Sequence, residues 1–148
     1  MKQQQCVYCE LPEIRAREII RTKFAWAVPT NIPIVPGHVL IMPIRHVADV
    51  SELTHRELED ILHIRDALVP VMKDLFKAEG FNYAWNEGAV AGQSVPHFHL
   101  HMLPRKEGDT GITEYEPRKF LYRPGSREAT PETELQAVAR DIKERLLM

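Results

Sequence analysis

Apolar residues recur along this chain with two different periods, and together they predict a sheet and a long helix. Residues 24–28 (Phe-Ala-Trp-Ala-Val) read as a strand. A turn-rich stretch follows, with Pro33, Pro36 and Gly37, and leads into a second apolar run, His38 to Met42, stopped by Pro43. Thr54 followed by Glu57 matches a capping box. Beyond it Leu58, Ile61, Leu62, Arg65, Leu68, Met72, Leu75 and Phe76 recur at helical spacing. Pro70 inside that pattern predicts a kink or a local break, and Gly80 predicts the helix end. Phe81–Trp85 and Val95–Leu103 read as further strands. Residues 104–130 are rich in Pro, Gly and charge and read as a long connection. Thr130-Pro131 then opens a final helix with Leu135, Val138, Ile142 and Leu146 on one face. The pattern is that of an α+β domain: an antiparallel sheet, one long helix and a C-terminal helix.

The Val95–Leu103 strand carries the chemistry. His97, His99 and His101 alternate with Phe98, Leu100 and Met102, so a strand sends three of the seven histidines to one face. Neighbouring imidazoles would stand roughly 6–7 Å apart. The preceding segment, Asn86 to Val95, contains Gly88 and Gly92, which allow backbone N–H groups to approach a ligand closely. Gln93 and Ser94 add side-chain donors, and no Asp or Glu lies between Gly88 and Lys106. Donors, imidazoles and no carboxylates suit a phosphate better than Mg²⁺ or Ca²⁺, which take oxygen ligands.

Composition narrows the partners. Nineteen Lys and Arg against 21 Asp and Glu give a net charge of −2 with no basic run, which disfavours polymeric nucleic acid. A mononucleotide or dinucleotide needs only a local pocket. No stretch approaches a membrane span, and Met1–Gln5 is polar, so a cytoplasmic location is expected. At 148 residues with 44% hydrophobic content, a single domain with a real core is expected over residues 1–148. Cys6 and Cys9, spaced Cys-x-x-Cys, point to a zinc pair or a redox pair, and the pair supplies only two of the four ligands that zinc takes. Trp26, Phe24 and Trp85 read as core. His55 and His63 on the long helix read as solvent-facing. Arg105, Lys106, Arg118 and Lys119 read as solvated charges.

Residues 92–105 (Gly-Gln-Ser-Val-Pro-His-Phe-His-Leu-His-Met-Leu-Pro-Arg) resemble the signature of the histidine triad (HIT) superfamily, in which three histidines alternate with apolar residues. Asn31 to Pro43 resembles that family's first ligand-binding segment and Asn86-Glu-Gly88 its second. Residues 104–109 resemble the fragile-histidine-triad hydrolase branch more than the shorter HINT branch. The resemblance implies a HIT-like fold with about five antiparallel strands. It also implies a nucleotide hydrolase or nucleotidyl transferase acting at the nucleoside α-phosphate of a dinucleoside polyphosphate or a nucleoside phosphoramidate through a nucleotidyl-histidine intermediate. His99 would be the nucleophile, with His101 and His38 holding the phosphoryl group. Gln93 and Ser94 would bind phosphate or leaving group, Asn31 a ribose hydroxyl and Asn86 the α-phosphate region. Residues 1–20 would form a zinc-knuckle-like segment whose Cys6 and Cys9 are completed by His46 and His97 in a structural zinc site. No catalytic metal would be required. Residues 104–148 would be a C-terminal extension, and a homodimer would continue the sheet across two chains. Three rivals stay open: a transferase to a phosphate or sugar-phosphate acceptor, a nucleotide-binding sensor with negligible turnover, and a zinc hydrolase with its ion on His97, His99 and His101.

Overall fold

A computed structural model describes residues 6–109 and 131–146. Two compact units divide the chain, Met1–Ile112 and Thr113–Met148. The first holds five strands: β1 (Ile20–Arg21), β2 (Ala25–Pro29), β3 (Val39–Pro43), β4 (Gly80–Ala84) and β5 (Leu100–Arg105). Their order across the sheet is β1-β2-β3-β5-β4, and every neighbouring pair is antiparallel. Two short helices, α1 (Val7–Glu10) and α2 (Pro12–Arg15), precede the sheet, and α3 (His55–Leu75) joins β3 to β4. The second unit contains a helix, Glu132–Leu146. No helix among the described residues is long and apolar enough to cross a membrane.

Strand alternation gives the sheet two apolar faces. Ala25, Ala27, Val39, Ile41, Leu100 and Met102 meet Ile61, Ile64, Leu68 and Met72 of α3 in one cluster, which Phe98 also joins. Each buried Val, Leu, Ile or Met side chain among them stabilises the fold by about 1.5–3 kcal/mol relative to exposure. Trp26, Val28, Leu40 and Met42 point the other way and pack with Ile14, Val7 and Tyr8. The histidines use this second face, since Leu40 lies opposite His101 in the register.

The start of α3 follows its sequence. Thr54 accepts from the Glu57 backbone N–H and Glu57 accepts from Thr54 N–H, so the capping box closes. The Glu57 carboxylate is buried and is also gripped by Arg45 at 2.8 and 3.3 Å. Burial pushes that carboxyl up, but the bonds from Arg45 and Thr54 outweigh it and hold it below the usual range. This ties the β3–α3 connection, which carries His46, to the helix.

Several elements differ from the sequence expectation. α3 runs unbroken through Pro70, which lies on the exposed side, where water can satisfy the carbonyl it leaves unpaired. The helix ends at Leu75 rather than Gly80, because Lys77 takes a left-handed φ of 56° and Gly80 already belongs to β4. Leu58, Leu62 and Leu75 are exposed, and the buried line is Ile61, Ile64, Leu68 and Met72. β1 is only two residues long, too short for a period to register. Trp26 is core as expected, but Trp85 is 47% exposed at the end of an edge strand. The residues of the 110–130 connection, Thr130, Arg118 and Lys119, and the side chains of the apolar face expected on the last helix, lie outside the described residues.

Gly37 shows how tightly the turn before β3 is seated. Its φ is +88°, and a Cβ there would lie 2.7 and 2.9 Å from the Phe76 ring and 2.9 Å from Pro104. Gly37→Ala is expected to cost about 2–4 kcal/mol, from backbone strain and overpacking together. Urea unfolding checks this; an unchanged midpoint would contradict it.

Candidate functional site

The histidine-bearing segment only partly belongs to the sheet. β5 begins at Leu100, so His97 and His99 precede it, and only His101 sits in the ladder. The reason is that their backbone bonds go elsewhere. His97 N–H closes a turn onto the Val95 carbonyl, and Phe98 N–H reaches the Val47 carbonyl at 2.6 Å. Alternation nevertheless persists: Phe98, Leu100 and Met102 enter the core under α3, and the imidazoles take the opposite face.

Backbone groups fix the proton on each ring, since an amide N–H can only donate and a carbonyl can only accept. His99 Nδ1 donates to the His97 carbonyl at 2.9 Å, which leaves the Nε2 lone pair free. Ile34 N–H donates to His38 Nδ1 at 3.1 Å, so His38 carries its proton on Nε2. That proton goes to His101 Nδ1 at 2.9 Å, and the His101 proton therefore sits on Nε2. His97 Nε2 donates to the Pro43 carbonyl at 2.8 Å, freeing Nδ1. One row of imidazoles thus offers a nucleophilic lone pair on His99, a donor on His101 and a metal-type lone pair on His97.

Burial keeps these rings neutral. It pushes His38 down to about 4, helped by the nearby His99, and pushes His101 down to about 4, helped by His99 and His38. Burial also lowers His99 and His97, against the opposing effect of their bonds to carbonyls. The linkage sign follows. Below about 6.5 the unfolded chain takes up protons on His38 and His101, while the folded chain does not until about 4. The stabilisation from neutral His38 and His101 is complete above about 6.5 and is lost as the pH falls toward 4. Denaturant melts at successive pH values should show stability declining across that window; a flat profile would contradict the buried neutral pair.

The four residues expected to hold an ion come together. Ligand atoms of Cys6, Cys9, His46 and His97 all lie within 4.8 Å of one another. His97 Nδ1 is 3.4 Å from Cys6 Sγ, 3.5 Å from Cys9 Sγ and 3.4 Å from His46 Nδ1, and Cys9 Sγ is 3.7 Å from His46 Nδ1. A tetrahedral ion with metal–sulfur bonds of about 2.3 Å and metal–nitrogen bonds of about 2.0–2.1 Å sets S···N near 3.6 Å and N···N near 3.3 Å. The cluster fits. The His97–Pro43 bond supplies the carbonyl that orients a ligating imidazole. Burial, with Cys6 beside it, pushes the Cys9 thiol up to about 11. Among the described residues His97, His99 and His101 form no metal cluster, because each turns its Nδ1 to a different partner.

The remaining expected residues are placed less tellingly. Gln93 accepts from Gly88 N–H at 2.8 Å and donates to the Ala48 carbonyl at 3.1 Å, so both ends of its amide stitch the loop. Asn86 Nδ2 reaches the Gly92 carbonyl at 3.4 Å. The loop N–H groups of Gly88, Ala91, Gly92 and Gln93 are likewise bonded inside it, unlike the open cradle that the glycines suggested. Ser94 is exposed beside the triad, and Asn31 is exposed in the turn before β3. Sequence reasoning missed Tyr8. Its ring stands edge-on to His99 at 5.3 Å and to His97 at 5.8 Å; its place between the two cysteines was the only available signal.

Comparison with known proteins agrees with this geometry. The HIT domain model matches residues 12–108. The asymmetrical bis(5'-nucleosyl)-tetraphosphatase of Schizosaccharomyces pombe is 36% identical over 105 residues, covering 71% of this chain but only 57% of that protein. A histidine triad nucleotide-binding protein from Candida albicans superposes with a TM-score of 0.72 at 27% identity, over 97% of this chain and 98% of that one. A Zn-bound histidine triad family protein from Mycobacterium smegmatis gives 0.63 at 25% identity, over 73% and 80%. With the tautomers, the second-face placement of the imidazoles and the match across residues 12–108, this chain belongs to the HIT domain family.

Proposed function

We propose that this protein hydrolyses dinucleoside polyphosphates at a nucleoside α-phosphate through a covalent intermediate on His99. One observation carries the reading: His99 is 6% exposed, with Nδ1 bound to the His97 carbonyl and Nε2 left as a lone pair beside the His101 donor. In the first step Nε2 attacks phosphorus, the P–N bond forms, and the P–O bond to the leaving polyphosphate breaks. His101 Nε2–H stabilises the departing oxygen, and His38 behind it fixes the direction of that proton. Water then attacks the same phosphorus, the P–N bond breaks, and the nucleotide leaves. A covalent nucleophile divides one hard displacement into two easier ones. The substrate named for the yeast relative supports the polyphosphate class.

In the same reading Ser94 and Gln93 face the phosphate or leaving group, and Asn31 and Asn86 the nucleotide, after a rearrangement of the loop bonds that Gln93 and Asn86 now make. Cys6, Cys9, His46 and His97 hold zinc, which when bound supplies a cross-link between the N-terminal segment and the catalytic segment. The chain acts in the cytoplasm as a homodimer. The test is a panel of dinucleoside polyphosphates, nucleoside phosphoramidates and sugar nucleotides, with and without phosphate acceptors, read by product identity. A nucleoside monophosphate from dinucleoside polyphosphates without an acceptor supports the reading. Turnover only with an acceptor, or none on any member, overturns it.

A further inference from the structure

We propose that Tyr8 is a positioning residue for the nucleophile: its ring edge holds the His99 imidazole in its attacking orientation, and the flanking cysteine clamp holds Tyr8. The inference rests on the nucleophile assignment above. The bond from Nδ1 to the His97 carbonyl fixes the His99 tautomer but permits the ring to swing about that bond. Two ring contacts limit the swing, His101 at 4.9 Å and Tyr8 at 5.3 Å with the planes 70° apart. The same Tyr8 ring meets His97 at 5.8 Å and 90°, so it touches both the nucleophile and the residue whose carbonyl aims it. Such edge contacts are directional where an aliphatic contact is not.

Helix α1 does not hold Tyr8 there by itself. It is four residues long, has no side-chain cap and buries none of its residues. What places the ring is the pair of cysteines on either side, drawn onto His97 at 3.4 and 3.5 Å, together with the apolar cluster of Ile14, Trp26, Val28, Leu40 and Met42. A metal clamp at Cys6 and Cys9 is thus mechanically continuous with the ring beside His99.

The experiment compares Tyr8→Phe and Tyr8→Leu, the latter keeping apolar bulk against the cluster. Imidazole NMR of the zinc-loaded, substrate-free protein reads the His99 ring directly. Wild type and Tyr8→Phe should show one Nδ1–H tautomer. Tyr8→Leu should keep that tautomer, because the His97 carbonyl still sets it, but show shifted ring signals broadened by reorientation, kcat about tenfold lower, KM within twofold of wild type and an unchanged zinc content. Chelator added to wild type should move the His99 signals toward those of Tyr8→Leu, and this arm stands even if the leucine variant folds poorly. Unchanged His99 signals in Tyr8→Leu or on chelation would overturn the proposal, as would an equal kcat loss in Tyr8→Phe. Because the NMR arm uses no substrate, its failure is distinguishable from failure of the nucleophile assignment.

Discussion

His99→Ala is expected to lower turnover by about 10⁴-fold while nucleotide affinity stays within about threefold. The asymmetry follows from what the side chain does. In the proposed mechanism His99 Nε2 is the atom that bonds phosphorus, so without it both steps of the cycle would disappear and only positioning by the remaining groups would be left. Binding is spread over other donors. Removing His101 is expected to cost less, about 10²-fold, because a hydrogen-bond donor to the leaving group tunes a step rather than creating it. His99→Ala leaves the buried His97 carbonyl without its donor, a loss of about 1–3 kcal/mol. Equilibrium binding on the purified variant therefore serves as the folding control. Rapid acid-free quenching with labelled substrate should find an adduct on wild type and none on His99→Ala. Turnover within tenfold of wild type, or an adduct that survives the substitution, would remove His99 from the role.

The sheet, α3 and the imidazole row were legible because each leaves a local pattern. The capping box at Thr54 and Glu57 and the alternation from His97 to Met102 are read from adjacent residues, and both appear as expected. What was not legible depends on partners distant in sequence. The strand begins at Leu100 only because Phe98 N–H is taken by Val47, and nothing near residue 98 announces that. The loop around Gly88 turns inward because Gln93 can reach both Gly88 and Ala48, a choice made by tertiary contact. Tyr8 meets His99 across most of the unit. The Cys₂His₂ set came from family resemblance, since two cysteines alone do not specify the other ligands; the geometry then brings all four together.

Stripping the metal is expected to affect stability more than catalysis. Elemental analysis of the purified protein should give about one zinc per chain. Chelation at neutral pH, or Cys9→Ala, should lower the thermal midpoint by about 10 °C, corresponding to about 3 kcal/mol in a chain of this size. The reason lies in the cluster itself. Cys6 and His97 are buried, and a bound ion would satisfy His97 Nδ1, whose lone pair otherwise faces two thiols and another imidazole. The ion would also tie residues 6–9 to residue 97, a link across some ninety residues into the histidine-bearing segment. Turnover should fall only about tenfold. The carbonyl that aims His99 is part of a main chain independently held by Phe98 N–H on Val47, and the ring of His97 stays anchored to Pro43. A catalytic zinc on the three triad histidines predicts the reverse, with activity abolished and the melting point little changed. Calorimetry and kcat on one chelated sample decide between them. A metal-free protein with an unchanged midpoint would show that the four ligands hold together without an ion, the packing of Val7, Tyr8 and Ile14 being enough to pin the N-terminal segment.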